Sequence, residues 1–178
     1  MSGPFASAQD LQDLTGLVVA RARAQATLQV ASDVIREECG QELSQVVGDV
    51  ETLPGVDLAT LVLSERPVTA ITQILVSGSP VTDFTFSRWG VITRSSEVFW
   101  TSGAVVTYTH GFTEADWEFG VLRSICVDAA VRSLSLNRDG ASEAMGSNLM
   151  ETAGFSPEVF LTEGERSRLA SFGKALVG

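Results

Sequence analysis

The spacing of apolar residues changes twice along the chain, and each change marks a different kind of predicted structure. From Ser7 to Cys39, apolar residues recur at the spacing of amphipathic helices. From Leu43 to Thr109, short runs rich in Val, Thr, Leu and Ile are cut by Gly, Pro and Asp, which is typical of strands joined by tight turns. The helical spacing returns from Trp117. This order predicts an α+β fold.

Two helices are predicted before the sheet. The first is short, covers Ser7–Leu14 and ends at Gly16. The second covers about Val18–Cys39, and Gly40 is a suitable C-cap for it. One face of this longer helix carries small and apolar side chains: Ala20, Ala24, Leu28, Ala31, Ile35 and Cys39.

A third helix is predicted from about Trp117 to Asn137, after a β-branched and aromatic strand that ends at the turn His110-Gly111. Thr113 is a suitable N-cap for this helix. Its second half is rich in small residues, which allow another helix to approach closely. We therefore expect it to pack against the long helix that precedes the sheet.

The segment between these helices predicts a sheet of short strands. The candidate strands are Leu43–Leu53, Leu58–Leu63, Val68–Val76, Val81–Phe86, Val91–Thr93, Phe99–Thr101 and Ala104–Thr109. Because the connections between them are short, antiparallel hairpins are favoured over parallel crossovers. The sequence thus predicts an antiparallel meander inserted between the helices.

The chain after Asn137 is predicted to form a flexible arm with a short terminal helix. Residues 138–156 contain many small residues and few apolar anchors, which indicates a loop or a segment that a partner orders. Thr162 and Glu165 then form a capping box for the final helix. We divide the chain into a core over 1–137 and an arm over 138–178. The apolar residues of the arm either fold back on the core or dock on a neighbour: Leu161, Leu169, Phe172 and Leu176.

The amino-acid composition argues against several classes of function. The 178 residues are 44% hydrophobic, enough for a substantial core, and no run predicts a membrane span or a signal peptide. Twelve Lys and Arg residues against 22 Asp and Glu residues give a formal charge of −10, which argues against a nucleic-acid-binding module. Cys39 and Cys126 both lie in apolar helical surroundings and are predicted to be buried, reduced thiols.

No residue set in the sequence predicts catalysis, a cofactor or a metal ion. His110 is the only histidine and lacks a matching nucleophile or ligand set, so we interpret it as a turn residue. Two carboxylate pairs, Asp10 with Asp13 and Glu37 with Glu38, are of the kind that solvated helix surfaces produce routinely. We therefore expect a protein that is not an enzyme.

Three aromatic residues near turns of the predicted sheet are open to two interpretations. Trp89, Phe99 and Trp100 either pack inward or present an anchor to a neighbouring subunit. The second alternative makes them candidates for a subunit interface.

Taken together, the motifs resemble those of the head-to-tail connector, or adaptor, proteins of long-tailed phages, especially phages of actinobacteria. The matching features are an alanine-rich helix ending at Cys39-Gly40 and a Pro-Val-x-x-Ile segment from Pro67 to Ile71. A Tyr-x-x-Gly-Phe strand end at Tyr108–Phe112 and a Leu-Thr-x-x-Glu-Arg helix at Leu161–Arg166 complete them. The resemblance covers nearly the whole chain. The acidic Glu114–Asp116 stands where a proline-containing turn is expected.

The resemblance implies a structural virion protein, assembled in the host cytoplasm, that lies in the neck between capsid and tail. It implies a homo-oligomeric ring of about twelve copies that binds the portal protein on one side and a tail-side stopper protein on the other. DNA would pass through its channel without sequence-specific binding, and an acidic bore would repel the DNA and let it slide. The docking residues of the arm would then be candidates for the contact with the portal.

Other functions remain as alternatives. The nearest is another ring of the same neck, a stopper or a tail terminator, but the order helix, sheet, helix fits the adaptor better. A small ligand-binding α+β domain would need a polar constellation in a pocket, and the sequence predicts none.

Overall fold

A computed structural model of the chain describes residues 2–55, 59–95, 99–143 and 157–173. The described residues form two compact units. The helical unit comprises those within Met1–Cys39 and Glu114–Gly173, and the sheet unit comprises those within Gly40–Thr113. The sheet unit is thus an insertion between two parts of the helical unit, and the predicted α+β fold is confirmed.

The helical unit contains the predicted helices. They are α1 (Ala8–Thr15), α2 (Arg21–Cys39), α3 (Trp117–Glu143) and α4 (Glu163–Leu169), and a 3-10 turn over Ala170–Phe172 follows α4. Ser7 caps α1 through a capping box, in which the Asp10 amide donates to Ser7 Oγ at 3.1 Å and the Ser7 amide donates to Asp10 Oδ2 at 2.7 Å. Gly16 ends α1 in the left-handed conformation, with φ of 69°.

The small-residue faces of α2 and α3 pack together, as predicted. Ser32 Oγ lies 3.3 Å from Cys126 Sγ, and that thiol donates to the Leu28 carbonyl at 3.6 Å. Ala31 and Ala130 are fully buried, so the two backbones approach closely. Burial raises the pKa of Cys126 to about 11 and that of Cys39 to about 12, and both thiols are free and buried.

Two helix boundaries differ from the predictions. α2 begins at Arg21 rather than Val18, and the β-branched Val18 and Val19, which follow the left-handed Gly16, lie outside any helix. α3 continues past Asn137 to Glu143, through Gly140. A single glycine costs a helix only about 1 kcal/mol, so it does not have to end one.

The sheet unit holds two antiparallel sheets. The strands are β1 (Val46–Leu53), β2 (Thr60–Val62), β3 (Val68–Val76), β4 (Ser79–Pro80), β5 (Phe84–Phe86), β6 (Val91–Arg94) and β7 (Ala104–His110). One sheet has the order β1-β7-β3-β4 and the other β2-β6-β5. Strand β7 therefore lies between β1 and β3, an order that a simple meander does not have. Every described strand pair is antiparallel.

One predicted strand is absent from the described sheets. Phe99–Thr101 is irregular because the Trp100 side chain turns into the core, where its Nε1 donates to the Ala59 carbonyl at 3.2 Å. The core of the sheet unit consists of Leu53, Leu61, Leu63, Val68, Ile74, Ile92, Trp100, Ala104, Val106 and Tyr108.

The chain enters and leaves the sheet unit at neighbouring points. Ser44 and Phe112 form a parallel bridge, in which the Phe112 amide donates to the Leu43 carbonyl at 2.8 Å and the Gln45 amide donates to the Phe112 carbonyl at 3.0 Å. Gly111 has φ of 86°, and a Cβ there would overlap the Ser44 carbonyl. The bridge thus requires glycine at this position.

The arm predicted over 138–178 is described in part. Residues 138–143 belong to α3, and residues 144–156 and 174–178 lie outside the described residues. The predicted final helix is present with its capping box: the Thr162 hydroxyl accepts from the Glu165 amide at 3.3 Å, and the Thr162 amide donates to Glu165 Oε2 at 2.7 Å. Within the described ranges, no helix has the length and apolarity needed to cross a bilayer.

Candidate assembly surfaces

The polar groups that first invite a catalytic interpretation are tied into the sheet. His110 is the last residue of β7 rather than a turn residue, and its Nε2 lies 3.2 Å from Asp49 Oδ2 on β1. The Tyr108 hydroxyl donates to Glu51 Oε2 at 2.9 Å, and the Ser64 amide donates to the same oxygen at 3.0 Å. Burial, reinforced by Glu51, raises the pKa of Tyr108, so the phenol stays protonated and donates.

Three of the four paired helix carboxylates, Asp10, Asp13 and Glu38, contact polar or charged groups of the helical unit. Burial raises the pKa of Asp10, but the hydrogen bonds from Ser7 outweigh it and the net pKa lies below its usual value. Asp13 accepts from Gln9 Nε2 at 2.8 Å, and Glu38 lies 3.5 Å from Arg166. In the part of the chain that the structure describes, no three His, Cys, Asp or Glu side chains are close enough to hold a metal ion.

The three aromatic candidates for a subunit interface occupy different environments. Trp100 is 1% exposed and belongs to the core of the sheet unit, which leaves it no accessible surface for a neighbour. Trp89 and Phe99 are 61% and 54% exposed. The alternative of inward packing therefore applies to Trp100, and the other two present aromatic surface.

Backbone hydrogen bonds fix the hairpin loop that carries Trp89. The Ser87 amide donates to the Val91 carbonyl at 2.9 Å and closes the loop. The Leu63 amide donates to the Gly90 carbonyl at 2.9 Å, which ties the loop to the adjacent segment. Gly90 has φ of 79° and a Cβ there would lie 3.3 Å from Leu63, so glycine suits the position. An exposed tryptophan on a fixed backbone loses little entropy when a partner covers it.

The apolar residues of the terminal helix are packed within the helical unit. Leu161, Leu169 and Phe172 are buried, and the Cys39 thiol lies 3.9 Å from the Leu169 carbonyl. Leu176, the fourth predicted docking residue, lies outside the described residues. The sequence left two alternatives for the arm, folding back on its own chain or docking on a neighbour. The described part of the arm folds back on its own chain.

An ion pair holds this terminal helix in place. Arg132 on α3 donates from Nη1 to Glu165 Oε1 at 2.9 Å and from Nη2 to Glu165 Oε2 at 2.7 Å. Burial raises the pKa of Glu165, but the hydrogen bonds from Arg132 and Thr162 lower it by a larger amount. The net pKa therefore lies below its usual value.

Sequence reasoning missed two exposed apolar residues of the helical unit. Trp117, predicted as the first residue of α3, is 73% exposed, and Val18, assigned to a helix, is 86% exposed in the segment between α1 and α2. The acidic residues around Trp117 were the available signal: Glu114, Asp116 and Glu118 lie within three positions of it. A tryptophan flanked by carboxylates is poorly suited to a core.

Comparison with known proteins identifies the fold. No family model and no curated protein match the sequence. Among solved structures, the chain is similar to one in the neck of an empty gene transfer agent (GTA) particle computed with C6 symmetry. The two share 15% sequence identity with a TM-score of 0.55, and the match covers 100% of this chain and 95% of the other. The similarity thus extends over the whole fold.

Proposed function

We propose that this chain is a structural protein of the neck of a phage-like particle, where copies assemble into a ring between the capsid portal and the tail-side proteins. The observation that carries the proposal is the fold shared over the full chain with a protein of a GTA neck. The sequence motifs that resemble phage head-to-tail connectors support the same assignment independently. In this role the protein positions other virion proteins and performs no chemistry.

The shape of a ring subunit sets requirements that this chain can meet. A closed ring needs two different, complementary surfaces on each subunit, and contacts along the particle axis need further surface. Trp89 and Phe99, exposed on the sheet unit, are suited to contact a neighbouring chain in the neck. The formal charge of −10 per chain favours a channel through which DNA slides without being held.

The test is native mass spectrometry or mass photometry of the purified chain, alone and mixed with the portal protein from the same genome. We expect multiple copies to be recruited to the portal. A Trp89→Ala variant should bind more weakly, by about 30-fold if Trp89 is a hot spot. Val50→Ala, which removes a smaller exposed side chain of the same unit, is the matched control.

Absence of association at concentrations well above those of assembly would overturn the adaptor assignment. The same experiment with the tail-side proteins then distinguishes the alternatives. Binding to a tail tube protein in place of the portal would assign the chain to a tail terminator, and binding to an adaptor ring would assign it to a stopper.

A further inference from the structure

The exposed Trp117 stands at the beginning of α3 within an acidic surface. Tryptophan is among the residues most often found as an interface anchor, and 73% exposure leaves most of this side chain available for contact. Glu114, Asp116 and Glu118 surround it in sequence, and Arg123 lies 3.6 Å from Glu114. The surface, which we call the Trp117 knob, is therefore aromatic at its centre and acidic at its rim.

A cavity of about 360 Å³ opens elsewhere on the helical unit. Its wall is formed by the segment between α1 and α2 and by the middle of α3, and includes Leu17, Val18, Val19, Arg23 and Leu134. The volume is at the lower end of the range, about 300–1,000 Å³, of cavities that enclose small organic groups. We call it the Val18 socket.

Two arginines lie in or next to the wall of the socket: Arg23 lines it, and Arg21 directly follows the wall residue Ala20 in the sequence. Arg21 is exposed at the first position of α2, two residues before Arg23, and no acidic residue lies in the first turn of this helix. The positive side chain of Arg21 at the N-terminus of the helix opposes the helix dipole, and a nearby carboxylate would offset this effect. The socket thus combines apolar side chains with positive charge in and beside its wall, whereas the Trp117 knob combines an aromatic side chain with negative charge.

The two surfaces cannot meet within one chain. Trp117 and Leu134 are 17 positions apart on the continuous helix α3, which at 1.5 Å per residue separates them by about 25 Å. Both belong to the helical unit. Each subunit therefore carries a knob near one end of α3 and a socket farther along it.

From this arrangement we propose that the Trp117 knob of one copy of this chain inserts into the Val18 socket of the next copy. The contact joins two different surfaces, and its repetition builds a ring when the rotation between copies closes, as the proposed neck function on which this inference rests requires. Trp117 supplies buried apolar area, while the carboxylates around it face the exposed Arg21 and set the orientation of the two copies.

Crosslinking tests the contact without removing Trp117. Ala115→Cys places a thiol beside the knob, and Ala20→Cys places one on the rim of the socket; both positions are exposed. A short bismaleimide should convert the double-cysteine variant into a ladder of multimers, and an equimolar mixture of the two single variants into dimers only. The native cysteines are buried and have raised pKa values, so they should not react.

Variants of the anchor and of the charges complete the test. Trp117→Ala in the double-cysteine background should reduce the crosslinked product by about 30-fold, and Trp117→Phe by much less. Val47→Ala, which truncates a residue of similar exposure (76%) on the sheet unit, should have no effect. Arg21→Glu should reduce crosslinking, and adding Glu114→Arg should restore it.

The outcomes separate this inference from the proposed function. Recruitment of the chain to the portal, with no crosslinks between positions 115 and 20 even in the bound assembly, would overturn the knob-and-socket contact and leave the neck function standing. A crosslinked ladder without portal binding would support the contact and overturn the adaptor assignment. Crosslinked dimers from either single-cysteine variant alone would indicate a symmetric contact and also overturn the inference.

Discussion

Arg132 holds the terminal helix α4 against α3, and its replacement by methionine tests how strongly. Arg132→Met keeps an apolar stem of similar length but removes two charge-assisted hydrogen bonds to Glu165 and one from Nη2 to the Phe160 carbonyl at 3.1 Å. Glu165, whose side chain is 9% exposed, then keeps only its capping partner Thr162.

The expected loss follows from these contacts. Each hydrogen bond to a charged group contributes about 1.5–3 kcal/mol, and bonds that share one guanidinium do not add fully. We therefore expect Arg132→Met to destabilise the docked state of α4 by about 3 kcal/mol. The matched control is Arg166→Met on α4 itself, because Arg166 and its partner Glu38 are both substantially exposed and such pairs contribute about 1 kcal/mol or less.

Hydrogen exchange of the α4 amides measures this loss, because local opening of a docked terminal element exposes its amides to solvent. A loss of about 3 kcal/mol should accelerate exchange by roughly 100-fold in Arg132→Met. The pKa of Glu165 is lowered in the folded chain, so its contribution is complete above the unfolded value of 4.5 and disappears as the pH falls through the folded pKa. Equal exchange in Arg132→Met and Arg166→Met would refute the assignment of the ion pair as the main restraint.

Three further predictions concern the sheet unit and the thiols. Tyr108→Phe removes a donor to Glu51 and should cost about 1–2 kcal/mol in urea unfolding; an unchanged midpoint would contradict this contact. Gly111→Ala should destabilise by more than 3 kcal/mol in the same assay because it clashes with backbone, whereas Gly78→Ala, also left-handed but with open space, should cost about 1–2 kcal/mol. Both buried cysteines should resist maleimide at pH 7 and react after unfolding; native labelling would contradict their burial.

The sequence predicted well those elements that depend on interactions between residues close together in the chain. The capping residues Ser7 and Thr162 begin α1 and α4 as expected, and the bounds of β3, Val68–Val76, match the predicted strand. These features depend on hydrogen bonds between residues three or four positions apart or on an unbroken β-branched run.

Features that depend on distant partners were not accessible from the sequence. The pairing of β1 with β7 joins segments that are far apart in sequence, and no local pattern encodes it. Trp89 and Trp100 both lie near turns, and only the hydrogen bond to Ala59 and the surrounding core distinguish the buried one from the exposed one. Trp117 fits the helical spacing of α3, but its acidic neighbours keep it at the surface.

The bridge between Ser44 and Phe112 also bears on the order in which the chain folds. The contact between Leu28 and Cys126 joins helices 98 positions apart, and closing so long a loop is slow and entropically costly. Once the inserted segment has formed its sheets, this bridge holds its two ends side by side, and the flexible loop between α2 and α3 shrinks to a few residues. We therefore expect sheet formation to precede and accelerate the pairing of α2 with α3, since α1 and α2 are synthesised long before their partner helix.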